Sequence, residues 1–217
     1  MGGGTPKQFL VLGGLPVLVH TLRVLERAKP VTEIILVVSE SDREYCLREI
    51  VTSHGFGKVA RLVTGGDERQ DSVRRGLATV ATEADVVLVH DAVRPFLTID
   101  MVDRVIEKAA EYGAAVVAVP MRDTVKETQA DGLIARTVDR SRLWLAQTPQ
   151  AFRRALLEEA HQKALVAGFQ ATDDAQLVER LGYPVAIVEG SVENLKITRP
   201  EDLSIGEAIL AARRGEA

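Results

Sequence analysis

Residues 59–95 read VARLVTGGDERQDSVRRGLATVATEADVVLVHDAVRP, and this stretch decides the fold. Two β-branched runs, VARLVTG (59–65) and DVVLVHD (85–91), flank a segment in which Val73, Leu77 and Val80 recur at helical spacing. The runs are apolar almost continuously rather than at alternate positions, as in strands covered on both faces.

The same rhythm extends outward. EIILVVS (33–39), AAVVAVP (114–120) and PVAIVEG (184–190) read as further strands. Ser41 with Glu44 predicts a capping box ahead of Tyr45, Leu47, Ile50 and Val51. Thr98 precedes Met101, Val102, Val105 and Ile106 at helical spacing, and Pro200 with Glu201 opens a last helix carrying Leu203, Ile205 and Ile209. Strands alternating with helices predict an α/β fold with a doubly wound, mostly parallel, Rossmann-like sheet. The 217 residues are expected to form one domain, 1–217.

One segment breaks the rhythm. Residues 121–142, MRDTVKETQADGLIARTVDRSR, are polar, with TVKET and LIARTVD flanking ADG at 130–132. This predicts a β-hairpin with an Asp-Gly turn, too poor in apolar residues for the core. It is expected to project as an arm towards a partner subunit, or else to be a plain surface flap.

Composition narrows the function. With 27 Lys+Arg against 31 Asp+Glu the net charge is −4, which argues against broad binding to nucleic acid or an anionic membrane. The apolar runs are strand-length, too short to cross a bilayer, and Cys46 is the single cysteine. A cytoplasmic, reducing location is the expectation. The histidines, His20, His54, His90 and His161, show no metal-ligand spacing, and no Gly-x-Ser-x-Gly elbow marks a covalent nucleophile. His90 reads as a satisfied core residue, and Trp144 and Cys46 as packing residues.

Open α/β sheets bind ligands beyond the carboxyl ends of their strands. After 59–65, Gly65 and Gly66 would let backbone approach a ligand, while Asp67 and Ser72 could read the edge of a base. The plainer reading is a strand-to-helix turn with an N-cap. After 85–91, Asp91 and Arg94 could hold a ribose hydroxyl or metal and a phosphate, or simply pair with each other. Lys196 lies in the loop before the last helix, and Thr172 precedes Asp173 and Asp174 at a helix start. Cations at Lys7, Arg94, Arg140 and Lys196, without a nucleophilic side chain, suit phosphoryl or nucleotidyl transfer, in which the protein positions anions and stabilises charge.

Seven ordered blocks carry a resemblance: TPKQFLVLGGLPVL, GGDERQDSV, VHDAVRP, VPMRDTVK, VDRSRLWLAQTPQ, ATDDAQLVE and VENLKITRPEDL. The sequence resembles the 2-C-methyl-D-erythritol 4-phosphate cytidylyltransferases of the non-mevalonate isoprenoid pathway, over essentially its whole length. The resemblance implies a nucleotidyltransferase-type fold. It also implies CTP and methylerythritol phosphate as substrates and magnesium as cofactor. It assigns CTP binding to Gly3, Gly4, Lys7, Gly66, Asp67, Ser72, Asp91 and Ala92, and the second substrate to Arg94, Thr124, Arg140, Thr172 and Lys196. Lys7, Arg140 and Lys196 are the implied catalytic cations, and Asp91 is the candidate metal ligand. The arm at 121–142 is implied to reach across a homodimer, carrying Thr124 and Arg140 into the partner's site. A cytidylyltransferase for another polyol phosphate, such as ribitol 5-phosphate, and a non-catalytic nucleotide-binding protein are the rivals.

In one respect the sequence departs from that family, which begins with a strand and a glycine-rich loop of the type A-A-G-x-G-x-R-M. Only the end of that loop, MGGGTPK, is present. The expectation is that the numbering starts inside the gene product and that ~20 residues, a central strand and part of the loop, precede Met1.

Overall fold

The structure, a computed structural model, describes residues 5–215. Gly3 and Gly4 lie outside the described residues. A 3-10 turn at Lys7–Phe9 leads to the short hairpin β1 (Val11–Leu12) and β2 (Leu15–Pro16), then to helix α1 (Val17–Arg27). There follow β3 (Ile34–Val38), α2 (Arg43–Tyr45) continuing as a wider π turn over Cys46–Thr52, β4 (Val59–Thr64), α3 (Arg69–Leu77) and β5 (Val86–Val89). Next come α4 (Ile99–Tyr112), β6 (Ala114–Pro120), the hairpin strands β7 (Val125–Thr128) and β8 (Ile134–Val138), and β9 (Trp144–Arg153). The chain closes with α5 (Arg154–Ala167), α6 (Asp174–Arg180), β10 (Ala186–Glu189) and α7 (Pro200–Arg214).

The five expected strands all form. β10 and β6 run parallel, and β9 runs antiparallel between β6 and β5, giving the order β10-β6-β9-β5. β9 is the strand that the sequence pattern did not announce. Pro149 lies in its middle, and proline is normally excluded from central strands because it cannot donate to the ladder. Here the register against β6 shifts between Val116 and Ala118, so that residues 147–149 form a bulge.

Helices cover both faces. On one, Met101, Val105 and Ala109 of α4 pack on Ala115, Val117, Ala151 and Val188. On the other, Leu157 and Ala160 of α5 and Leu177 and Val178 of α6 pack around Ala114 and Phe152. Neighbouring strand residues thus point to opposite layers, and this is why their runs are apolar throughout. α4 is capped as expected, the Met101 N–H donating to Thr98 Oγ1 at 3.2 Å. The Ser41–Glu44 capping box does not form. Ser39 caps instead, accepting from the Asp42 N–H at 3.2 Å, because the chain turns through a 3-10 segment at Glu40–Asp42 before α2.

β3 and β4 pair in parallel as a separate two-stranded sheet. Between the free edge of β3 and the free edge of β5 lies an apolar slot of about 640 Å³. Consecutive residues of both edges line it, Ile34 to Val37 and Val86 to Val89, with Leu18 and Leu22 of α1 and Val73 and Leu77 of α3 also facing it. The polar hairpin forms as expected, turning through Asp131 and Gly132, whose φ of 84° lies in the left-handed region that glycine tolerates. Leu133 and Ile134 at its tip are 65 % and 62 % exposed.

Candidate active site

The carboxyl ends of β3, β4 and β5 open on a second cavity of about 600 Å³. Lys7, Gly66, Asp67, Ser72, Asp91, Ala92 and Lys196 all line it, although Lys196 lies 189 positions after Lys7 in the sequence. Each arrives where a strand or turn ends. Lys7 starts the 3-10 turn, Gly66 to Ser72 follow β4, Asp91 follows β5, and Lys196 lies in the loop between β10 and α7.

The glycines serve the turn itself. A Cβ on Gly66 would lie 2.4 Å from Asp71 Cβ, and one on Gly65 would lie 2.7 Å from Ser72 Oγ. Ser72 Oγ accepts the Gly66 N–H at 3.1 Å, so the first turn of α3 is folded back tightly on the loop before it. Close approach is therefore required, but the group approached is the protein's own helix.

Asp91 is the electrostatic centre. One carboxylate oxygen meets Lys196 Nζ at 2.9 Å and Arg94 Nε at 3.5 Å, and the other meets Arg69 Nε at 3.5 Å. Burial alone would raise the Asp91 pKa, but the hydrogen bond and charge of Lys196, with Arg69 and Arg94, outweigh it and hold the carboxyl below its ordinary value. The local Asp91–Arg94 pairing is thus real, and it is part of a larger cluster. Arg94 also donates to the Asn194 carbonyl at 2.8 Å, which ties the Asp91 turn to the Lys196 loop.

Arg69 is the site residue that sequence reasoning missed. It lies within GGDERQDSV, between Asp67 and Ser72, where no local pattern distinguishes it from a surface arginine. Its guanidinium bridges Asp91 and the buried Asp174, the latter at 2.8 Å, and Asp174 in turn meets His161 Nε2 at 3.0 Å. Only the tertiary structure, which brings the start of α3 beside the start of α6, reveals that partnership.

Four expected residues stand apart from the cavity lining: Arg94, tied to Asp91 and the Asn194 carbonyl, and Thr172, Thr124 and Arg140. Thr172 is exposed, and its hydroxyl donates to Gln176 Oε1 at 3.3 Å, while Asp173 caps α6. Thr124 and Arg140 sit at the base of the hairpin, both exposed, and Arg140 donates to the Arg122 carbonyl. Trp144 is also a correction: 38 % exposed at the start of β9, it is a margin residue rather than a core one. Cys46 is fully buried as a packing residue, and burial pushes its thiol up to about 11, far from a reactive thiolate.

The donor set bears directly on a metal. Among the described residues no group of three His, Cys, Asp or Glu side chains could hold an ion. Asp91 has both oxygens engaged by cations, so these residues do not fit a resident metal held by protein alone. The arrangement suits an anionic ligand, for which Lys7 and Lys196 supply charge and the loop before α3 supplies a closely packed polar rim.

The family model described as 2-C-methyl-D-erythritol 4-phosphate cytidylyltransferase matches residues 1–212. Curated proteins of that name are similar to this chain. The one from Bacillus velezensis is 51% identical, over 99% of this chain and 92% of its own length, and the one from Syntrophus aciditrophicus is 49% identical over 99% and 92%. Among solved structures, the 4-diphosphocytidyl-2C-methyl-D-erythritol synthase of Anaerococcus prevotii superposes with a TM-score of 0.88 at 34% identity, covering 96% of this chain and 92% of that one. The Thermus thermophilus cytidylyltransferase gives 0.80 at 40% identity, covering 96% and 95%. A family model spanning residues 1–212 and relatives 49% and 51% identical over 99% of the chain place the protein in the 2-C-methyl-D-erythritol 4-phosphate cytidylyltransferase family.

Proposed function

We propose that this protein transfers a cytidylyl group from CTP to 2-C-methyl-D-erythritol 4-phosphate, giving the 4-diphosphocytidyl alcohol and pyrophosphate. The observation that carries the reading is the convergence of Lys7, Gly66, Asp67, Ser72, Asp91 and Lys196 on one cavity. A phosphate oxygen of the second substrate attacks the α-phosphorus in line. That bond forms as the bond from the α-phosphorus to the oxygen bridging the β-phosphorus breaks, and pyrophosphate leaves. Lys7 and Lys196 offset the charge that develops on the phosphates, and preorganised cations act most strongly where water is excluded. The Gly66–Ser72 loop is assigned to the base, and Asp91 with Ala92 to the ribose. A magnesium ion would enter on the CTP phosphates and supply counter-charge. Arg94, Thr124, Arg140 and Thr172 are assigned to the alcohol phosphate, Thr124 and Arg140 through an arm exchanged in a homodimer. The exposure of that arm in the single chain supports this assignment.

The slot between β3 and β5 belongs to the same proposal. Two apolar strand edges face each other across it with their backbone groups unpaired, a costly arrangement that one further parallel strand would satisfy. We propose that the slot accepts one further strand. An apolar strand-length segment fused to the chain should raise the unfolding temperature and slow amide exchange at Ile35, Val37, Val86 and Leu88, the amides that face the slot. Unchanged exchange at those amides refutes the proposal.

The catalytic reading is tested by incubating the chain, with and without the fused strand, with CTP, magnesium and each alcohol phosphate, while pyrophosphate and the diphosphate product are followed by phosphorus NMR. Turnover with methylerythritol phosphate faster than with ribitol 5-phosphate is expected. Faster turnover of ribitol phosphate, or CTP binding without pyrophosphate release, overturns it.

A further inference from the structure

Thr148 is 4 % exposed, on the bulged part of β9, and does not itself line the cavity, yet its atoms hold both loops that form the charged cluster. Its Oγ1 accepts the backbone N–H of Asp91 at 3.0 Å. The same oxygen lies 3.1 Å from His90 Nδ1, and His90 Nε2 lies 3.1 Å from the Arg94 carbonyl. A carbonyl can only accept, so His90 Nε2 carries the hydrogen and donates to it, and Nδ1 accepts the Thr148 hydroxyl proton. The hydroxyl therefore closes a ring of hydrogen bonds across the turn from Asp91 to Arg94. On its other side the Thr148 carbonyl accepts from Nδ2 of Asn194, fully buried, at 2.9 Å. Asn194 lies two residues before Lys196, and its own carbonyl takes the Arg94 guanidinium at 2.8 Å.

We propose that Thr148 is a positioning residue for the transfer reaction, fixing Asp91 and Arg94 through its hydroxyl and Lys196 through Asn194. The proposal rests on the cytidylyltransferase reading for its kinetic part and on hydrogen-bond geometry alone for its structural part. A bulge explains why this strand can do it. Where β9 leaves the ladder, the side chain and carbonyl of Thr148 are free for partners other than the neighbouring strand. Valine has almost the shape of threonine but neither donates nor accepts, whereas serine keeps the hydroxyl and loses only a methyl.

The experiment compares Thr148→Val and Thr148→Ser in the form of the protein that turns over CTP, reading kcat, KM, unfolding temperature and the exchange rate of the Asp91 amide. Thr148→Val is expected to lower kcat about 30-fold, since misplacement by about 1 Å can cost up to ~100-fold, and to speed Asp91 amide exchange at least about tenfold. Thr148→Ser should keep kcat within about threefold and leave the amide protected. His90→Gln, which can still donate to the Arg94 carbonyl, should lie between them. Two results overturn the proposal: kcat unchanged in Thr148→Val, or Thr148→Ser losing as much as valine does. If valine prevents folding, His90→Phe against His90→Gln makes the same comparison, and equal kcat for that pair overturns the proposal. Should no form turn over CTP, unchanged Asp91 amide exchange in Thr148→Val refutes the positioning role independently of the reaction.

Discussion

The pocket at the strand ends and the hairpin arm carry residues assigned to the same reaction but are built by opposite means. In the pocket, Asp91, Arg94, Lys196 and Arg69 are locked to one another and to buried Asp174 and Asn194. In the arm, Thr124 and Arg140 lie at the base of a two-stranded ribbon with an exposed tip, itself held by ladder bonds and surface pairs such as Arg136–Glu127. A charge cluster centred on the little-exposed Asp91 and Arg94 is preorganised by the fold itself. An isolated hairpin is at best marginally stable and takes its geometry from whatever it packs against. The pocket should therefore respond to substitutions through chemistry, and the arm through assembly.

The largest effect that sharpens this contrast is on Lys7. Lys7→Ala should lower kcat by about 100-fold or more, with KM for the alcohol phosphate changing by less than about threefold. A change confined to KM would move Lys7 out of the charge-stabilising role.

The next is the pH dependence of the locked cluster. Burial pushes His90 down to about 4, so the folded protein binds fewer protons there than the unfolded chain does. The stabilisation is complete above the ordinary value of 6.5 and is lost as pH falls from 6.5 towards 4, on the order of 3 kcal/mol in all. Asp91, with its folded value depressed, adds stability above 3.8 that is lost below it as pH falls through that lower value. Urea titrations from pH 7 to pH 4 should show the first loss, and His90→Gln should abolish most of it. A flat profile would mean that the ring is not held neutral by its surroundings.

Arg140→Ala should raise KM for the alcohol phosphate about tenfold while leaving the unfolding temperature of the chain unchanged. Mixing inactive Arg140 and Lys7 variants should restore part of the activity if sites are shared across a dimer. No restoration at any ratio would confine Arg140 to its own chain. The smallest effect is expected at the arm's tip, where Leu133→Ser should change stability by less than about 0.5 kcal/mol, because the residue is 65 % exposed. A larger loss would show that the tip is covered in solution.

Much of this was legible in the residues. Continuous apolar runs gave five strands, Thr98 and Pro200 marked helix starts, and the Asp131–Gly132 pair marked the hairpin turn. The positions just after strands also pointed to Gly66, Asp67, Ser72, Asp91 and Lys196. β9 escaped because Pro149 breaks its pattern, and the register shift that admits proline exists only between paired strands. The true cap at Ser39 escaped because Ser41 and Glu44 offer the same local signal, and only the path of the chain out of β3 chooses between them.

The sequence by itself determined which residues could lie in strands and helices, and which polar groups would fall at strand ends, because those follow from periodicities of two and 3.6 residues. Tertiary structure alone decided the partnerships: Arg69 with Asp174 across 105 positions, Thr148 with Asp91 across 57, and the separation of β3 from β5 by an open slot. The reason is physical. Periodicity is a property of one segment, whereas the value of a buried charge or a free strand edge depends on which distant group is brought within hydrogen-bond reach.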